Sequence, residues 1–156
     1  PGRKGRCIHL PSVISMNYIE ITGGTKSQRA IADKVVSWYL KRVLPRVRTL
    51  DITVRLTSCL KNEGAYGYCL ELDSHKEFDI EIDKTLRLFD FVSTLCHEMT
   101  HLKQYYRKEM VALDGGRIRW KKKVYNSNFK YENKPWEKEA FKVEAQLARD
   151  CFTDIL

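Results

Sequence analysis

The sequence predicts an α+β fold, and three observations lead to this prediction. Stretches in which apolar and polar residues alternate are interleaved with stretches of helical periodicity. Gly, Pro and Asn residues separate these stretches. The 156 residues are 43% hydrophobic, which suits one globular domain, and no apolar run reaches the roughly 18 residues that a membrane span needs. We expect a single domain, 1–156, with a basic and potentially flexible N-terminal segment, 1–16.

The predicted elements are, in order, a strand over 18–21, a helix over 28–44 capped by Thr25 or Ser27, strands over 50–56, 65–72 and 78–83, a long helix over 86–107, a hairpin of 117–125 with 129–131 around Asn126–Asn128, and a helix over 136–152. Residues 73–76 are expected to join two of the strands as a hairpin. Pro45 ends the first helix, and Pro135 begins the last one. The expected sheet is small, twisted and mostly antiparallel, with one N-terminal helix and two later helices packed beside it.

The charge distribution is uneven. The net charge is +8, and a local cluster of cations, with no acid between residues 115 and 131, consists of Arg117, Arg119, Lys121, Lys122, Lys123 and Lys130. Such a surface attracts nucleic acid or acidic partners at low salt, although a solvated basic face is the plainer interpretation. Trp120 lies within the cluster and could stack on a base, but its alternation with cations also fits an amphipathic strand.

The cysteines do not form a recognisable pattern. There are five of them, an odd number, and none is part of a CxxC pair. A disulfide framework or a four-cysteine zinc site is therefore a poor fit. We interpret them as reduced, mostly buried thiols of a cytoplasmic protein.

The long helix contains the sequence His97-Glu98-Met99-Thr100-His101, an HExxH motif. Residues four apart lie one turn apart on the same helix face, so both imidazoles can reach one Zn²⁺ ion. Glu98 follows the first histidine and can lie beside the metal without binding it. In that position a carboxylate can act as the general base toward a metal-activated water, and then as the acid toward the leaving amine.

A catalytic zinc site needs a third protein ligand. The other two histidines, His9 and His75, both precede the motif, so a downstream carboxylate is the natural candidate. At 100° per residue, Glu137 and Glu144 point toward the apolar side of the last helix, and Glu139 points away from it. A carboxylate that faces an apolar interior needs a partner or a metal. Glu137 and Glu144 therefore both need an explanation, with a ligand or a hydrogen bond to a ligand histidine as the options.

The two motifs together resemble a known family. HExxH followed by Glu137-Lys138-Glu139-Ala140, an E-x-x-A motif, is similar to zincin-type metallopeptidases with a glutamate ligand, and most similar to the small ImmA/IrrE-like and phage-encoded peptidase-like proteins. The resemblance covers about residues 50–152. It implies a zincin-like fold with two active-site helices, His97, His101 and Glu137 as the zinc ligands, and Glu98 as the catalytic residue. The Asn or Asp that usually follows the alanine is Phe141 here, and Glu144 could take over its role.

This resemblance implies a zinc metallopeptidase that hydrolyses a peptide or protein substrate in the cytoplasm of a bacterium or a phage-infected cell. A more distant resemblance is to SprT-like proteases, which act on DNA-bound proteins but usually have a histidine as the third ligand. The alternative is a non-catalytic zinc-containing module that binds DNA or a host protein through its basic surface.

Two further parts of the site stay open at this level. A tyrosine could donate a hydrogen bond to the oxyanion, and the candidates are Tyr105, Tyr106, Tyr125 and Tyr131. By analogy with zincins, the strand over 65–72 or the strand over 78–83 would hold an extended substrate at the sheet edge.

Overall fold

The computed structural model describes residues 16–58, 60 and 64–156. Its strands and helices are, in chain order, β1 (Tyr18–Gly23), α1 (Lys26–Val43), β2 (Asp51–Thr57), β3 (Gly67–Glu71), β4 (Glu77–Asp83), α2 (Leu88–Tyr106), β5 (Met110–Ala112), β6 (Ile118–Trp120), β7 (Lys123–Tyr125) and α3 (Pro135–Ile155). The architecture is α+β, as predicted. Apart from Met16, the predicted basic segment 1–16 lies outside the described residues.

The main sheet has the strand order β1-β2-β4-β3. Strands β1, β2 and β4 are parallel to one another, and only β3 is antiparallel to its neighbour β4. The expectation of a mostly antiparallel sheet is therefore wrong for these four strands. Helix α1 carries the chain back between β1 and β2, which makes that pair parallel, and β4 inserts between β2 and β3. The hairpin predicted at 73–76 is present between β3 and β4.

One face of the main sheet is covered and the other is open. Ile52, Val54 and Leu56 of β2 are at most 3% exposed, and they belong to the same core as residues of α1 and α2. The intervening residues of β2 are exposed or half-buried, and on this open face Arg55 pairs with Asp79 of β4. This alternation is what the two-residue period of a half-buried strand predicts.

Helix α2 is buried on most of its circumference. Its buried residues run from Phe91 to Gln104 and include every residue of the HExxH motif. The helix packs against α1, β3 and β4 as well as against α3, so it has neighbours on several sides. Polar residues in such a helix need specific partners, because each buried polar group without a hydrogen bond destabilises the fold.

A second, smaller sheet lies beside α2, with the order β5-β6-β7 and antiparallel pairing throughout. Strand β5 is not among the predicted elements. The predicted hairpin around Asn126–Asn128 is wrong: the hairpin turn lies at Lys121, which has a left-handed φ of 54°, and Tyr131–Asn133 forms a 3₁₀ turn. The Asn-rich stretch does turn, with Phe129 N–H bonded to Asn126 O, but it follows β7 instead of preceding it.

The apolar side of the β6–β7 hairpin faces inward. Trp120 is 8% exposed and packs with Met110 and Trp136 in a small core of its own, while Lys121 lies over its ring at 5.0 Å. Trp120 is therefore a strand residue of the kind that the alternation predicted. It is not available to stack on a base.

Two remaining expectations concern the membrane and the cysteines. No helix in the described part of the chain combines the length and apolarity that a membrane crossing requires. Cys69, Cys96 and Cys151 are free thiols, and the last two are buried, which agrees with the interpretation of reduced packing residues. Cys7 and Cys59 lie outside the described residues.

Candidate metal centre

The structure brings three of the predicted site residues to one point. His97 and His101 lie one turn apart on α2, and Glu137 lies in the first turn of α3. Their donor atoms are close together: Nε2 of His97 is 3.1 Å from Nε2 of His101 and 3.1 Å from Oε2 of Glu137, and Nε2 of His101 is 3.3 Å from the same oxygen. All three residues are at most 8% exposed.

These distances match those between the ligands of one tetrahedral ion. Ligand atoms about 2.0–2.1 Å from a tetrahedral metal are about 3.3–3.4 Å from each other. Two imidazole nitrogens and one carboxylate oxygen are also a donor set found around catalytic zinc. His97, His101 and Glu137 can therefore hold a metal ion together without a rearrangement of the backbone.

The hydrogen bonds of the other ring nitrogens determine where the imidazole protons lie. Nδ1 of His97 is 2.6 Å from Oε2 of Glu144, and a carboxylate can only accept. Nδ1 of His101 is 2.8 Å from Oε1 of Gln104. Both rings therefore donate from Nδ1, and in the neutral imidazoles the Nε2 lone pairs point toward each other and toward Glu137. Three electron-rich atoms that meet in this way need a cation between them.

Gln104 is the site residue that the sequence analysis missed. Its amide nitrogen donates to the carbonyl oxygen of Trp136 at 3.0 Å and to Oε2 of Glu139 at 2.8 Å, so its amide oxygen must face His101. Gln104 is fully buried. Its position three residues after His101 places both on one face of the helix, and this spacing was the available signal.

The three glutamates of α3 have three different roles. Glu137 forms a group of three metal-binding donors with His97 and His101, which we call the donor triad. Glu144 does not belong to this triad but accepts a hydrogen bond from His97, which orients the imidazole ring. Glu139 does not reach the triad: it binds Gln104 and lies 3.5 Å from Lys103 Nζ. Glu139 therefore contacts the centre only through Gln104, which agrees with its position away from the apolar side of the helix.

Glu98 lies beside the triad but does not join it. It is 5% exposed, and strand β3 passes directly over it: a Cβ on Gly67 would be 2.9 Å from Oε1 of Glu98. Burial raises the pKa of its carboxyl to about 7, against the opposing effect of the two nearby imidazoles. A carboxyl that titrates near neutral pH can both take up and release a proton under ordinary conditions.

The charges of the triad stabilise one another. Burial works against protonation of His97, but its hydrogen bonds with Glu137 and Glu144 raise the pKa to about 9. Burial likewise opposes a charge on His101, and Glu137 raises its pKa. For Glu137 itself, the bonds from His101, His97 and Tyr131 outweigh burial and hold the carboxyl pKa far below its usual range. These shifts favour a proton at the centre, and a metal ion that binds the same atoms would have to displace it.

The triad opens into a cleft of about 1140 Å³. Residues of β3, α2 and α3 line it, together with Tyr131, Lys134 and Ile118. Of the four candidate tyrosines, Tyr131 is the one whose hydroxyl bonds a triad member, since it donates to Oε2 of Glu137 at 2.8 Å. Tyr105 also lines the cleft, whereas the ring of Tyr125 packs against Phe129 and Trp136.

No family model, no curated protein and no solved structure matches this chain.

Proposed function

We propose that this chain is a zinc-dependent metallopeptidase of zincin type. One observation carries the proposal: two Nε2 lone pairs and the Glu137 carboxylate converge at the spacing of tetrahedral ligands, with the buried Glu98 carboxyl next to them. The order of residues along the chain, HExxH followed by a glutamate on a later helix, is the order that the resemblance to ImmA/IrrE-like peptidases implies.

The donor set favours zinc over harder cations. Imidazole nitrogens suit zinc and other transition metals, whereas magnesium and calcium prefer sites made of oxygen ligands alone. Three protein ligands are also the number found at catalytic zinc sites, where a fourth position serves water or substrate. A bound zinc would polarise the substrate carbonyl and lower the pKa of a water molecule.

In this proposal Glu98 moves the proton. Its carboxylate accepts a proton from the water as the water oxygen bonds to the carbonyl carbon, and then passes that proton to the nitrogen of the leaving amine, whose bond to the carbon breaks. A pKa of about 7 suits both transfers. The close approach of Gly67 shields Glu98 on one side and leaves the cleft as its route to substrate.

Strand β3 offers a place for the substrate backbone. It forms one edge of the main sheet, so its outer N–H and C=O groups are available to an added strand. Because Gly67 of β3 lies against Glu98, a peptide that extends the sheet along this edge would pass the general base and the triad. Of the two strands considered from the sequence, β4 is excluded, since it lies between β2 and β3.

The first test is the metal content of the purified protein. We expect one zinc per chain in the wild type and a large loss in Glu137→Ala, measured by elemental analysis and by competition with a chromogenic chelator. Glu132→Ala is the matched control, because Glu132 is exposed and lies outside the triad. A wild-type chain that takes up no zinc even after reconstitution would refute the proposal.

The second test separates binding from chemistry. Glu98→Gln should retain its zinc and lose peptide hydrolysis by about 10²-fold or more, the usual contribution of a general base. Quenched fluorescent peptides provide the rate, and the chelator assay provides the metal affinity. Undiminished hydrolysis by this variant would exclude Glu98 from the mechanism.

A second candidate function rests on the cations of the β6–β7 hairpin. Arg117, Arg119, Lys121, Lys122 and Lys123 are exposed, and none of them has a carboxylate within ion-pair distance among the described residues. Such a surface can bind a polyanion through charge alone.

Nucleic-acid binding measured across salt concentrations distinguishes this alternative. Affinity that falls steeply with salt and is the same in Glu98→Gln would favour a binding module. Weak binding that does not depend on the hairpin cations would identify them as a solvated face.

A further inference from the structure

Two half-exposed aromatic rings lie beside the donor triad. Phe141 is 53% exposed although its ring centroid is only 4.7 Å from that of His97. Tyr131 is 54% exposed, its ring centroid is 6.4 Å from that of Phe141, and its hydroxyl bonds Glu137. We call these two rings the aromatic ledge.

The ledge belongs to the cleft and not to the core. Both rings line the cleft that contains the triad, whereas neither belongs to the buried clusters of the described chain. The neighbouring α3 residues Glu137 and Ala140 are at most 8% exposed, so Phe141 presents apolar surface at the point where α3 meets the cleft. Half-exposed aromatic rings that meet in a concave surface are typical of a binding site.

Exposed aromatic rings also line the cleft on the other side of α2. Glu98 faces β3, and the adjacent residue His97 faces α3, so β3 and α3 flank α2 on different sides. From β3 and the residue before it, Tyr68 and Tyr66 also line the cleft, at 40% and 55% exposure. A peptide that runs along β3 therefore meets exposed aromatic surface next to the reacting bond.

We propose that the aromatic ledge selects the substrate, and that the substrates are peptide segments with a bulky apolar or aromatic side chain next to the cleaved bond. This inference rests on the proposed function. Phe141 and Tyr131 would cover such a side chain on one flank and remove it from water. An acidic side chain in the same place would meet the carboxylates of Glu137 and Glu144, which lie on the same side of α3. Phe141 is thus the residue that determines specificity in this proposal.

The test compares peptides that differ in one residue flanking the cleaved bond, which is Phe, Leu, Ala or Asp. Wild-type enzyme should cleave the Phe and Leu peptides with kcat/KM values about tenfold or more above those of the Ala and Asp peptides, the discrimination typical of an apolar pocket. Phe141→Ala should lose most of this preference, measured as the ratio of kcat/KM on the Phe peptide to kcat/KM on the Ala peptide. Phe89→Ala is the matched control, since Phe89 is 42% exposed on α2 but stacks on Phe152 outside the cleft.

Binding to the Glu98→Gln protein gives a readout that does not need turnover. The Phe peptide should bind more tightly than the Ala peptide, and Phe141→Ala in that background should remove the difference. No preference in either assay, or a preference for the Ala or Asp peptide, would overturn the proposal.

Two controls separate the possible failures. Zinc affinity is measured for Phe141→Ala and for Phe141→Leu, which keeps an apolar cover on His97. One outcome is that Phe141→Ala loses zinc and Phe141→Leu keeps the wild-type order of kcat/KM values among the four peptides. In that case Phe141 holds His97 in position and does not select substrates. If zinc-loaded wild type cleaves no peptide at all, the proposed function fails, whereas aromatic selectivity in binding to the Glu98→Gln protein would still support the ledge.

Discussion

At the scale of single residues, the centre consists of polar groups that each have a specific partner. Glu144 accepts the Nδ1 proton of His97, and the amide oxygen of Gln104 accepts that of His101. Gln104 is oriented in turn by Trp136 and Glu139. Glu98 differs from these residues, because it is buried next to a glycine and its carboxyl pKa is raised. Burial that suits a proton-transfer group is unfavourable for folding.

We therefore predict that Glu98→Gln stabilises the metal-free protein at alkaline pH. The carboxyl pKa is about 7 in the folded state and 4.5 ordinarily, so the folded state holds a proton that the unfolded state has already lost. Stability then falls as the pH rises from 4.5 to 7, and the full cost, on the order of 3 kcal/mol, is present above 7. Urea unfolding in the presence of a chelator should show the variant more stable than wild type at pH 8 and nearly equal at pH 4.5. Equal stability at pH 8 would contradict this prediction.

The support given by Gln104 leads to a second prediction. Gln104→Leu leaves the Nδ1–H of His101 without its acceptor and frees the ring to rotate, so zinc affinity should fall about 10–100-fold, as is usual when such an orienting partner is removed. Competition with a chelator measures the change. Gln146→Leu is the control, because Gln146 is exposed on α3 and bonds only to residues of that helix. An unchanged affinity in Gln104→Leu would show that packing alone orients His101.

At the scale of elements, the site depends on how closely three of them approach one another. The first turn of α3 places Glu137 against α2, and a carboxylate in the first turn of a helix is favoured by the helix dipole. On the other flank, β3 approaches α2 so closely that there is space only for a hydrogen at Gly67: an added Cβ would meet the Glu98 carboxylate and, at 3.0 Å, the carbonyl oxygen of Glu81.

Gly67→Ala should therefore displace the Glu98 carboxylate and leave the triad intact. We expect zinc binding close to wild type and a fall in kcat of about tenfold or more, because small misplacements of a catalytic group are costly. Leu70→Ala on the exposed face of the same strand is the control. If Gly67→Ala reduces zinc affinity and kcat together, the strand supports the whole centre and not Glu98 in particular.

At the scale of the whole molecule, the proposed function implies that a metal ion and a proton compete for one position in the core. Without metal, the pKa of His97 is about 9 in the folded state, against 6.5 ordinarily. This stabilisation is fully present below pH 6.5 and is lost as the pH rises through 9. Zinc requires the deprotonated imidazole, so its affinity changes in the opposite direction.

Thermal unfolding should show these opposite trends. The Tm of chelator-treated protein should fall between pH 6.5 and pH 9, whereas the increase in Tm caused by a fixed excess of zinc should grow over the same range. The experiment uses matched samples at pH 6.5, 7.5 and 8.5, with Glu137→Ala as the variant in which both effects should be smaller, since Glu144 alone still raises the pKa of His97. A zinc-induced increase that is independent of pH would mean that the ion binds away from His97.

The sequence alone was sufficient for the elements whose signals are local. The helices over 28–44, 86–107 and 136–152 match α1, α2 and α3 to within a few residues, because each has an apolar stripe, and α1 and α3 also have an end marked by a cap or a proline. HExxH likewise predicts two imidazoles on one face, since four residues make about one helical turn. Helical phase alone could reduce the choice of carboxylate to Glu137 and Glu144.

The family resemblance singles out Glu137, but helical phase does not, and only the tertiary structure shows which of the two glutamates lies at the Nε2 atoms of the histidines. Both glutamates face α2, about two turns apart, and the position of α3 along α2 places Glu137 at Nε2 of His97 and Glu144 at Nδ1. The insertion of β4 between β2 and β3, the turn at Lys121 and the role of Gln104 were undetermined in the same way. The physical reason is common to them: a local pattern specifies which face of an element is buried, but not which neighbour covers that face, nor at what height along the element the two meet.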